Sequence, residues 1–532
     1  MRILLVPLLL LAACGPAPIT GTFDVIIEGG MVYDGTGGRG TRVDLALRGD
    51  TIAAMGDLSL AAAPMRVDAA GLAVTPGFID IHSHATSSTI AASGVIRRPD
   101  AENYVRQGVT TVMGGQDGSS VVPVGPLLDQ LEAAPATVNV GVFVGHGSVR
   151  AFVLGNTDRA PTEAEMGRMR GLVETAMQAG AFGLSSGLEY TPGAYAETEE
   201  LIALAAATAP YDGLYISHIR DEGGRLTASV EEVIRVGEEA GVKAQVTHHK
   251  LIGKHRWGGS EASLALIEAA RARGVDVASD QYPYTASSTG LTILFPSWSL
   301  EGSRADRLAR LRDPATRTRV RQAIADHLEA ERGGDPATVV AASCPFDPSL
   351  NGQSLADILD GRGLAVTLPN AAELAIELLE RGGCQGVFHS MGEEDVRRIM
   401  QHPWTMVASD GGIPAPGVGV PHPRNYGSFA RVLGHYVRDE QVLPFTEAVR
   451  KMTHLPAQRL GLDRRGTLAV GHYADVAVLD PATVQDHATF TDPHQYATGV
   501  VHVFVGGEAV LQDGALTGAR PGQALRKGEP SS

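Results

Sequence analysis

Through the middle of the chain, short runs of apolar β-forming residues alternate with longer stretches in which apolar residues recur at helical spacing. This alternation is typical of parallel βα units, in which a helix follows each strand and packs on the sheet. Eight candidate strands occur in this order: Val74–His84, Val109–Gly115, Val138–Gly147, Ala181–Gly187, Leu214–Ile219, Lys243–Lys250, Val275–Tyr284 and Trp404–Gly412. Eight such units predict an α/β fold, a TIM-like (β/α)8 barrel over residues 74–295 and 386–464.

Between the seventh and eighth strands, residues 296–385 are too many for one loop. They are charged and rich in Ala and Leu with helical stretches, so we expect an inserted helical lobe that covers part of the barrel mouth. Within the barrel, Thr162 and Glu165 predict a capping box, and Gly180 marks the end of that helix.

Both ends of the chain have short β-rich segments separated by Gly and Asp, a texture that differs from the middle. We expect residues 23–73 and 465–520 to form one small β-sandwich domain from the two chain ends. Residues 14–22 are predicted to be a tether, and residues 521–532 a polar tail.

The first residues have the pattern of an export signal. Arg2 precedes an apolar run that is too short to span a bilayer, and Leu11–Cys14 resembles a bacterial lipobox. We therefore expect residues 1–13 to be removed and Cys14 to carry lipid, which makes the protein a periplasmic or cell-envelope lipoprotein in contact with a membrane. The alternative is a plain secretory signal in which the cysteine occurs by chance.

Composition narrows the class of protein further. The 532 residues carry a formal net charge of −16 and no basic stripe, which argues against nucleic acid as a partner. Beyond Cys14 only Cys344 and Cys384 remain. They could pair in an oxidising compartment, but sequence leaves this open, and we expect no catalytic cysteine. The oligomeric state is also left open.

Residues that bind metals cluster at the ends of the predicted strands, where barrel enzymes keep their active sites. His82 and His84 lie two positions apart, so both imidazoles point to the same side of the first strand. The other strand ends carry Asp117, His146, Glu189, Tyr190, His218, Arg220, Glu222, His248, His249, Lys250, Asp280, Tyr282, Tyr284 and Asp410. Imidazole and carboxylate are natural ligands of Zn²⁺, so the set predicts a metal centre, with His146 and His249 left as ligand-supporting or structural residues.

The chain resembles the D-aminoacylase (N-acyl-D-amino-acid deacylase) group of the metal-dependent amidohydrolase superfamily over nearly its whole mature length. The matching stretches are TPGFIDIHSH, QGVTTVMGG, GAFGLSSGLEYTPG, YISHIRDEGG, VTHHKLIGKHRWGG, DQYPYTASSTGL, MGEEDVRRIMQHPWTMVASDGG and HPRNYGSFARVLG. The resemblance implies one tightly bound zinc on His218 and His248. It also implies a second, weaker divalent metal position on His82 and His84.

The same resemblance implies that Asp410 is the catalytic base, a role that also suits a carboxylate in the sharp turn ASDGG beside a metal-activated water. Lys250, Ser287 and Tyr190 match positions that line the family's substrate pocket. The chain departs from the family after the second strand, where it has Asp117 in GGQDG in place of a cysteine thiolate. We expect Asp117 to be a metal ligand, and an oxygen ligand there should weaken the preference for zinc.

The implied reaction is zinc-dependent hydrolysis of a linear amide, the deacylation of a small-molecule N-acyl-D-amino acid. Its carboxylate needs a cationic or hydrogen-bonding receptor, for which Arg220 and Arg424 are candidates besides Lys250 and Ser287. A dipeptidase remains an alternative, as does a lipid-anchored metal-binding protein without catalysis. A cyclic-amide hydrolase is disfavoured because the fourth strand lacks the lysine that such enzymes usually carbamylate.

Overall fold

The structure, a computed structural model, describes residues 18–528. The predicted signal peptide and Cys14 lie outside the described residues. Within residues 18–528, every helix is too short or too polar to cross a bilayer.

Two parallel sheets form the middle of the molecule. The three-stranded sheet has the order Asn139–Val142, Val109–Gly114, Phe78–Asp80. The six-stranded sheet has the order Val144–Gly145, Gly183–Gly187, Leu214–His218, Lys243–Val246, Val277–Gln281, Thr405–Val407. Only Phe143 separates Asn139–Val142 from Val144–Gly145 along the chain, so we count these two segments as one strand, the third of eight. At the other ends of the two sheets, Gly411–Gly412 pairs in parallel with Ser83–His84. The predicted mixed α/β fold is confirmed.

Helices alternate with these strands, and all of them except His454–Leu460 share one hydrophobic core with the strands. Their bounds are Gly94–Arg97, Glu102–Val105, Gly125–Ala133, His146–Leu154, Glu163–Gln178, Thr198–Ala205, Leu226–Ala240, Ser260–Ala272, Glu393–Gln401, Arg424–Arg431, the π-helical Val432–Asp439, Phe445–Met452 and His454–Leu460. The predicted capping box is confirmed: the Thr162 hydroxyl accepts from the Glu165 backbone, and the Glu165 carboxylate accepts from the Thr162 backbone.

The first predicted strand is in fact three short strands, and each belongs to a different sheet. Ala73–Pro76 joins a sheet of the chain ends, whereas Phe78–Asp80 joins the parallel sheet. Gly77 lies between them, and a Cβ atom there would come within 2.2 Å of the Thr110 side chain. Only glycine therefore lets the chain pass so close to the neighbouring strand.

The chain ends form two further sheets that share a hydrophobic core. One has the order Thr51–Gly56, Asp44–Arg48, Val25–Glu28, Met65–Asp68. The other has the order Ala515–Leu516, Glu508–Gln512, Val500–Val505, Val476–Leu479, Ala73–Pro76, Met31–Val32, Thr41–Arg42. The last described residues are not a free polar tail, since Leu525 is buried in the core between the parallel strands.

A separate lobe follows the seventh parallel strand and has its own hydrophobic core. Its helices are Arg304–Arg312, Pro314–Arg332, Leu355–Gly361 and Leu368–Arg381. It also contains an antiparallel sheet in the order Ser287–Gly290, Gln385–Phe388, Val339–Ser343, which the expectation of a helical lobe missed. A disulfide between Cys344 and Cys384 joins two of these strands at their ends.

Candidate metal centre and active site

The predicted ligands come together at the carboxyl ends of the parallel strands. His82, His84, Asp117 and Asp410 each offer a ligand atom within 4.8 Å of the other three. Asp117 belongs to a second such group with His218 and His248. One carboxylate therefore lies between two possible cation positions, each of which has two histidines.

Three of these residues occupy unusual backbone conformations. Asp117, His248 and Asp410 have φ angles of 52°, 35° and 49°, a left-handed region that side chains other than Asn and Asp seldom adopt. Strain of this kind concentrates at functional sites, where the surrounding structure holds it in place. Here the left-handed turns lie just after strand ends and direct the three side chains to one cluster.

A carboxylate lies beside the outer ring nitrogen of three of the histidines. His218 Nε2 lies 3.0 Å from Glu189 Oε2, and His248 Nδ1 lies 3.1 Å from Glu222 Oε1. Likewise, His82 Nδ1 lies 3.5 Å from Asp280 Oδ1. Metal-ligating histidines commonly have such partners, which set the tautomer and the ring orientation. The sequence placed these carboxylates at strand ends but did not assign them this role.

The inner atoms of the cluster lack partners of their own. Nε2 of His82, Oδ1 of Asp117 and Oδ1 of Asp410 are buried and form no hydrogen bond among the described residues. Since buried polar atoms are nearly always hydrogen-bonded, these three atoms fit a bound cation. Two imidazoles and carboxylate oxygens are also the donor chemistry that Zn²⁺ accepts.

The two aspartates of the cluster are held in their charged form. Burial alone would raise the pKa of Asp410, but Arg424 and His82 outweigh it and hold the pKa below the ordinary value. Burial also opposes ionisation of Asp117, and there His82 and His248 keep the pKa well below the usual range. Asp410 is therefore available as a proton acceptor, and Asp117 as an anionic ligand, at neutral pH.

A cavity of about 580 Å³ opens onto the cluster. Tyr190, Lys250, Ser287 and Arg424 line it, as the sequence predicted. The structure places Arg220 elsewhere: its guanidinium donates to Glu232 at 3.0 and 2.9 Å and to the Ala194 and Ala196 carbonyls. The Arg220 side chain therefore packs against the loop that contains Ala194 and Ala196, behind the site.

The two histidines left unassigned by the sequence lie outside the cluster. His146 Nε2 contacts Glu200 at 2.8 Å, and His249 Nε2 contacts the Ser263 hydroxyl at 2.9 Å. By contrast, the lobe brings Arg332 and Gln385 to the cavity wall. Neither residue follows a parallel strand, because both come from the inserted lobe, so the pattern of strand ends does not identify them.

The convergence of histidines and carboxylates at the ends of parallel strands, beside a cavity, defines a metal-dependent hydrolase. Residues 66–511 match the sequence pattern of the Amidohydrolase family, and the chain belongs to that family.

Two curated relatives come from Alcaligenes xylosoxydans xylosoxydans. The chain is 40% identical over 528 residues to a D-aminoacylase, which covers 95% of this chain and 98% of the relative. It is 39% identical over 526 residues to an N-acyl-D-glutamate deacylase, which covers 95% of this chain and 96% of the relative.

Two solved structures are similar in fold as well as in sequence. A crystal structure of D-aminoacylase has a TM-score of 0.82 at 36% identity and covers 95% of this chain and 100% of its own. The N-acyl-D-glutamate deacylase of Bordetella bronchiseptica, complexed with zinc and a phosphonate inhibitor, has a TM-score of 0.82 at 35% identity with the same coverage.

Proposed function

We propose that the protein hydrolyses N-acyl-D-amino acids to a carboxylate and a D-amino acid. The observation that carries this proposal is the cluster of His82, His84, Asp117 and Asp410 beside the cavity. The similarity to a D-aminoacylase and to an N-acyl-D-glutamate deacylase along almost the whole chain supports the substrate class.

The metal of this proposal is zinc, held tightly by His218, His248 and Asp117, with His82 and His84 contributing to a weaker second position. Asp117 would contribute to both positions, because it belongs to both groups of ligand atoms. When bound, the ion supplies Lewis-acid activation of water and of the amide carbonyl.

The remaining chemistry belongs to Asp410. Its Oδ1 has no hydrogen bond among the described residues, while Arg424 holds Oδ2 at 2.7 Å. The carboxylate is thus oriented and charged, and it accepts a proton from the attacking water. It then returns that proton to the departing amine, so that Asp410 ends the cycle as it began.

The test is removal of metal with a chelator, followed by reloading with Zn²⁺ and assay on N-acetyl-D- and N-acetyl-L-amino acids. We expect turnover of the D-series to disappear with the metal and to return with zinc. Activity that survives complete metal removal contradicts the metal centre. Hydrolysis of the L-series alone contradicts the substrate class.

The architecture that holds this site is also part of the proposal. We propose that the eight parallel strands close into a (β/α)8 barrel, supported by the pairing of Gly411–Gly412 with Ser83–His84. The shared core of the two terminal sheets supports a β-sandwich domain. A crystal structure at a resolution that defines every backbone hydrogen bond tests both the barrel and the β-sandwich domain.

The proposal extends to where the protein works. Cys14 in its lipobox-like context supports anchoring to a membrane through lipid on the cell-envelope side. Incorporation of labelled fatty acid tests this, with Cys14→Ala as the control. Failure of the wild-type protein to take up label contradicts the anchor.

A further inference from the structure

Where the described chain begins, it is fastened to loop 57–64, which connects two strands of the four-stranded terminal sheet. The Ile19 backbone N–H donates to the Asp57 carbonyl at 2.8 Å, and the Ala62 backbone N–H donates to the Gly21 carbonyl at 2.8 Å. The Ile19 side chain packs on a small hydrophobic core beneath the loop. The first described residues therefore run along the loop and have a fixed place on the sheet.

Loop 57–64 presents an apolar surface. After Asp57 its residues are LSLAAAP, which carry no charge. Leu60 is 66% exposed, the largest exposed fraction of any large apolar side chain in the described chain, and Ala62 is exposed as well. Single exposed apolar residues are common on soluble proteins, but this loop adjoins residues 18–22, which are also uncharged and mostly exposed. Together they form one uncharged surface.

One cation lies at the edge of this surface. The Arg48 guanidinium donates to the Thr22 carbonyl at 2.6 Å and lies 4.7 Å from the centre of the Phe23 ring. Its side chain is exposed, and no carboxylate oxygen of the described chain lies within 4.0 Å of its nitrogens. Since a guanidinium has five N–H donors, Arg48 keeps donors available for an anion beside the apolar loop.

The proposed lipid attachment is close to this surface along the chain. Cys14 precedes Ile19 by five positions, and five residues span at most about 18 Å when fully extended. A lipid on Cys14 enters the bilayer through the headgroup layer. Ile19 and the loop that it contacts then stay within that distance of the headgroups, whatever path the connecting residues take.

We propose that residues 18–22, loop 57–64 and Arg48 form a membrane-contacting face, an inference that rests on the proposed anchor at Cys14. The Leu60 side chain enters the boundary between headgroups and acyl chains, where an apolar group is stabilised by leaving water. Arg48 donates to lipid phosphates, which guanidinium groups bind strongly. The anchor then determines which side of the protein faces the bilayer, in addition to holding it there.

The experiment places one fluorescent label on the protein purified with its lipid. Cys344 and Cys384 are joined in a disulfide, and the anchor occupies Cys14, so Leu60→Cys adds a single free thiol for a bimane label. The protein is reconstituted into vesicles of phosphatidylethanolamine and phosphatidylglycerol, some of which carry a nitroxide near the top of an acyl chain. We expect the nitroxide to quench this label at least about two-fold, because an inserted side chain lies about 5–10 Å into that boundary.

Leu364→Cys is the matched control, because Leu364 is also an exposed leucine but belongs to the lobe, which has its own core. Its label should keep its fluorescence on the same vesicles. If Leu60→Cys lowers the melting temperature, Ala62→Cys takes its place, since Ala62 is exposed in the same loop. Arg48→Gln should reduce the quenching at the loop, whereas Arg42→Gln, an exposed change on the other terminal sheet, should not.

Incorporation of labelled fatty acid into the same preparations separates this inference from the anchor itself. A protein that carries lipid and binds vesicles, but whose loop label is quenched no more than the label at position 364, overturns the membrane-contacting face and leaves the anchor intact. A protein that takes up no fatty acid contradicts the anchor and this inference with it. Unchanged quenching in Arg48→Gln overturns the part assigned to Arg48.

Discussion

Arg424 donates to one oxygen of Asp410 at 2.7 Å, whereas the other oxygen lies 3.0 Å from His84 Nε2 and forms no hydrogen bond within residues 18–528. The two oxygens of one carboxylate thus have different tasks. The first anchors the side chain and keeps it charged, whereas the second faces the metal centre. A charged, oriented carboxylate with a free oxygen is what a general base requires.

Replacing Asp410 with asparagine tests this division of tasks. Asp410→Asn retains the shape of the side chain but cannot accept the proton, so kcat should fall by about 10²- to 10⁴-fold. Metal content should stay near normal, because the proposed ligands of the tight position, Asp117, His218 and His248, do not include Asp410. The measurement is steady-state kinetics together with elemental analysis.

Asp486→Asn is a matched control, since Asp486 pairs with Arg431 at 3.2 Å in a similar way but lies outside the cluster. It should leave kcat within a small factor of wild type. An Asp410→Asn protein with full turnover removes Asp410 from its role as base.

Asp117 should determine both how tightly the metal centre binds divalent ions and which of these ions it prefers. Asp117→Asn removes the charge but tolerates the left-handed backbone, so weaker metal binding in this variant reports the ligand itself. Asp117→Cys supplies a softer donor and should shift the preference from manganese towards zinc. Competition with a chelator measures the dissociation constants of both metals.

Cysteine is less suited to a φ of 52°, so the melting temperature of Asp117→Cys must be measured beside its metal affinity. Wild-type affinity in Asp117→Asn shows that the carboxylate is not a ligand. If the ratio of the zinc and manganese dissociation constants is unchanged in Asp117→Cys, Asp117 is likewise not a metal ligand.

Glu189 should stabilise the metal centre without touching the metal, because it holds His218 by the outer ring nitrogen. Loss of such a partner typically weakens metal affinity by about 10- to 100-fold. We expect Glu189→Gln to show a loss of this size in chelator competition, before any assay of activity. Glu232→Gln, which alters an ion pair with Arg220 instead, should bind metal like wild type.

Much of this site could be predicted from sequence because parallel strands deliver their last residues to one edge. That rule located His82, His84, His218, His248 and Asp410 without any knowledge of packing. It could not tell which way a side chain turns after the strand ends. Arg220 follows a strand as closely as the ligands do, yet its guanidinium is directed to Glu232.

The lobe is where prediction from sequence fell short. Arg332 ends a helix about fifty residues beyond the seventh parallel strand, and nothing in its local pattern distinguishes it from the other arginines of that helix. The Arg332 side chain packs on Phe388 of the strand Gln385–Phe388. The sequence pattern predicted a helical lobe and did not indicate this strand. Long-range packing, rather than periodicity, brings Arg332 to the cavity.

His249 should make the protein sensitive to acid. Burial lowers the pKa of its imidazole to about 3, and its Nε2 contacts the Ser263 hydroxyl at 2.9 Å. The unfolded chain takes up a proton at His249 near pH 6.5, whereas the folded chain does not until about pH 3. Stability is therefore lost as the pH falls below about 6.5, by about 2 kcal/mol at pH 5.

Glutamine does not titrate, so His249→Gln removes the contribution of residue 249 to the pH dependence of stability. Wild type should lose stability relative to His249→Gln between pH 7.5 and pH 5, as measured by the difference in melting temperature at the two values. Ser263→Ala is the control, because it removes the hydrogen-bond partner but leaves the buried imidazole to titrate. If the melting temperatures of wild type and His249→Gln differ by the same amount at pH 7.5 and at pH 5, the folded protein does not hold His249 as a neutral imidazole.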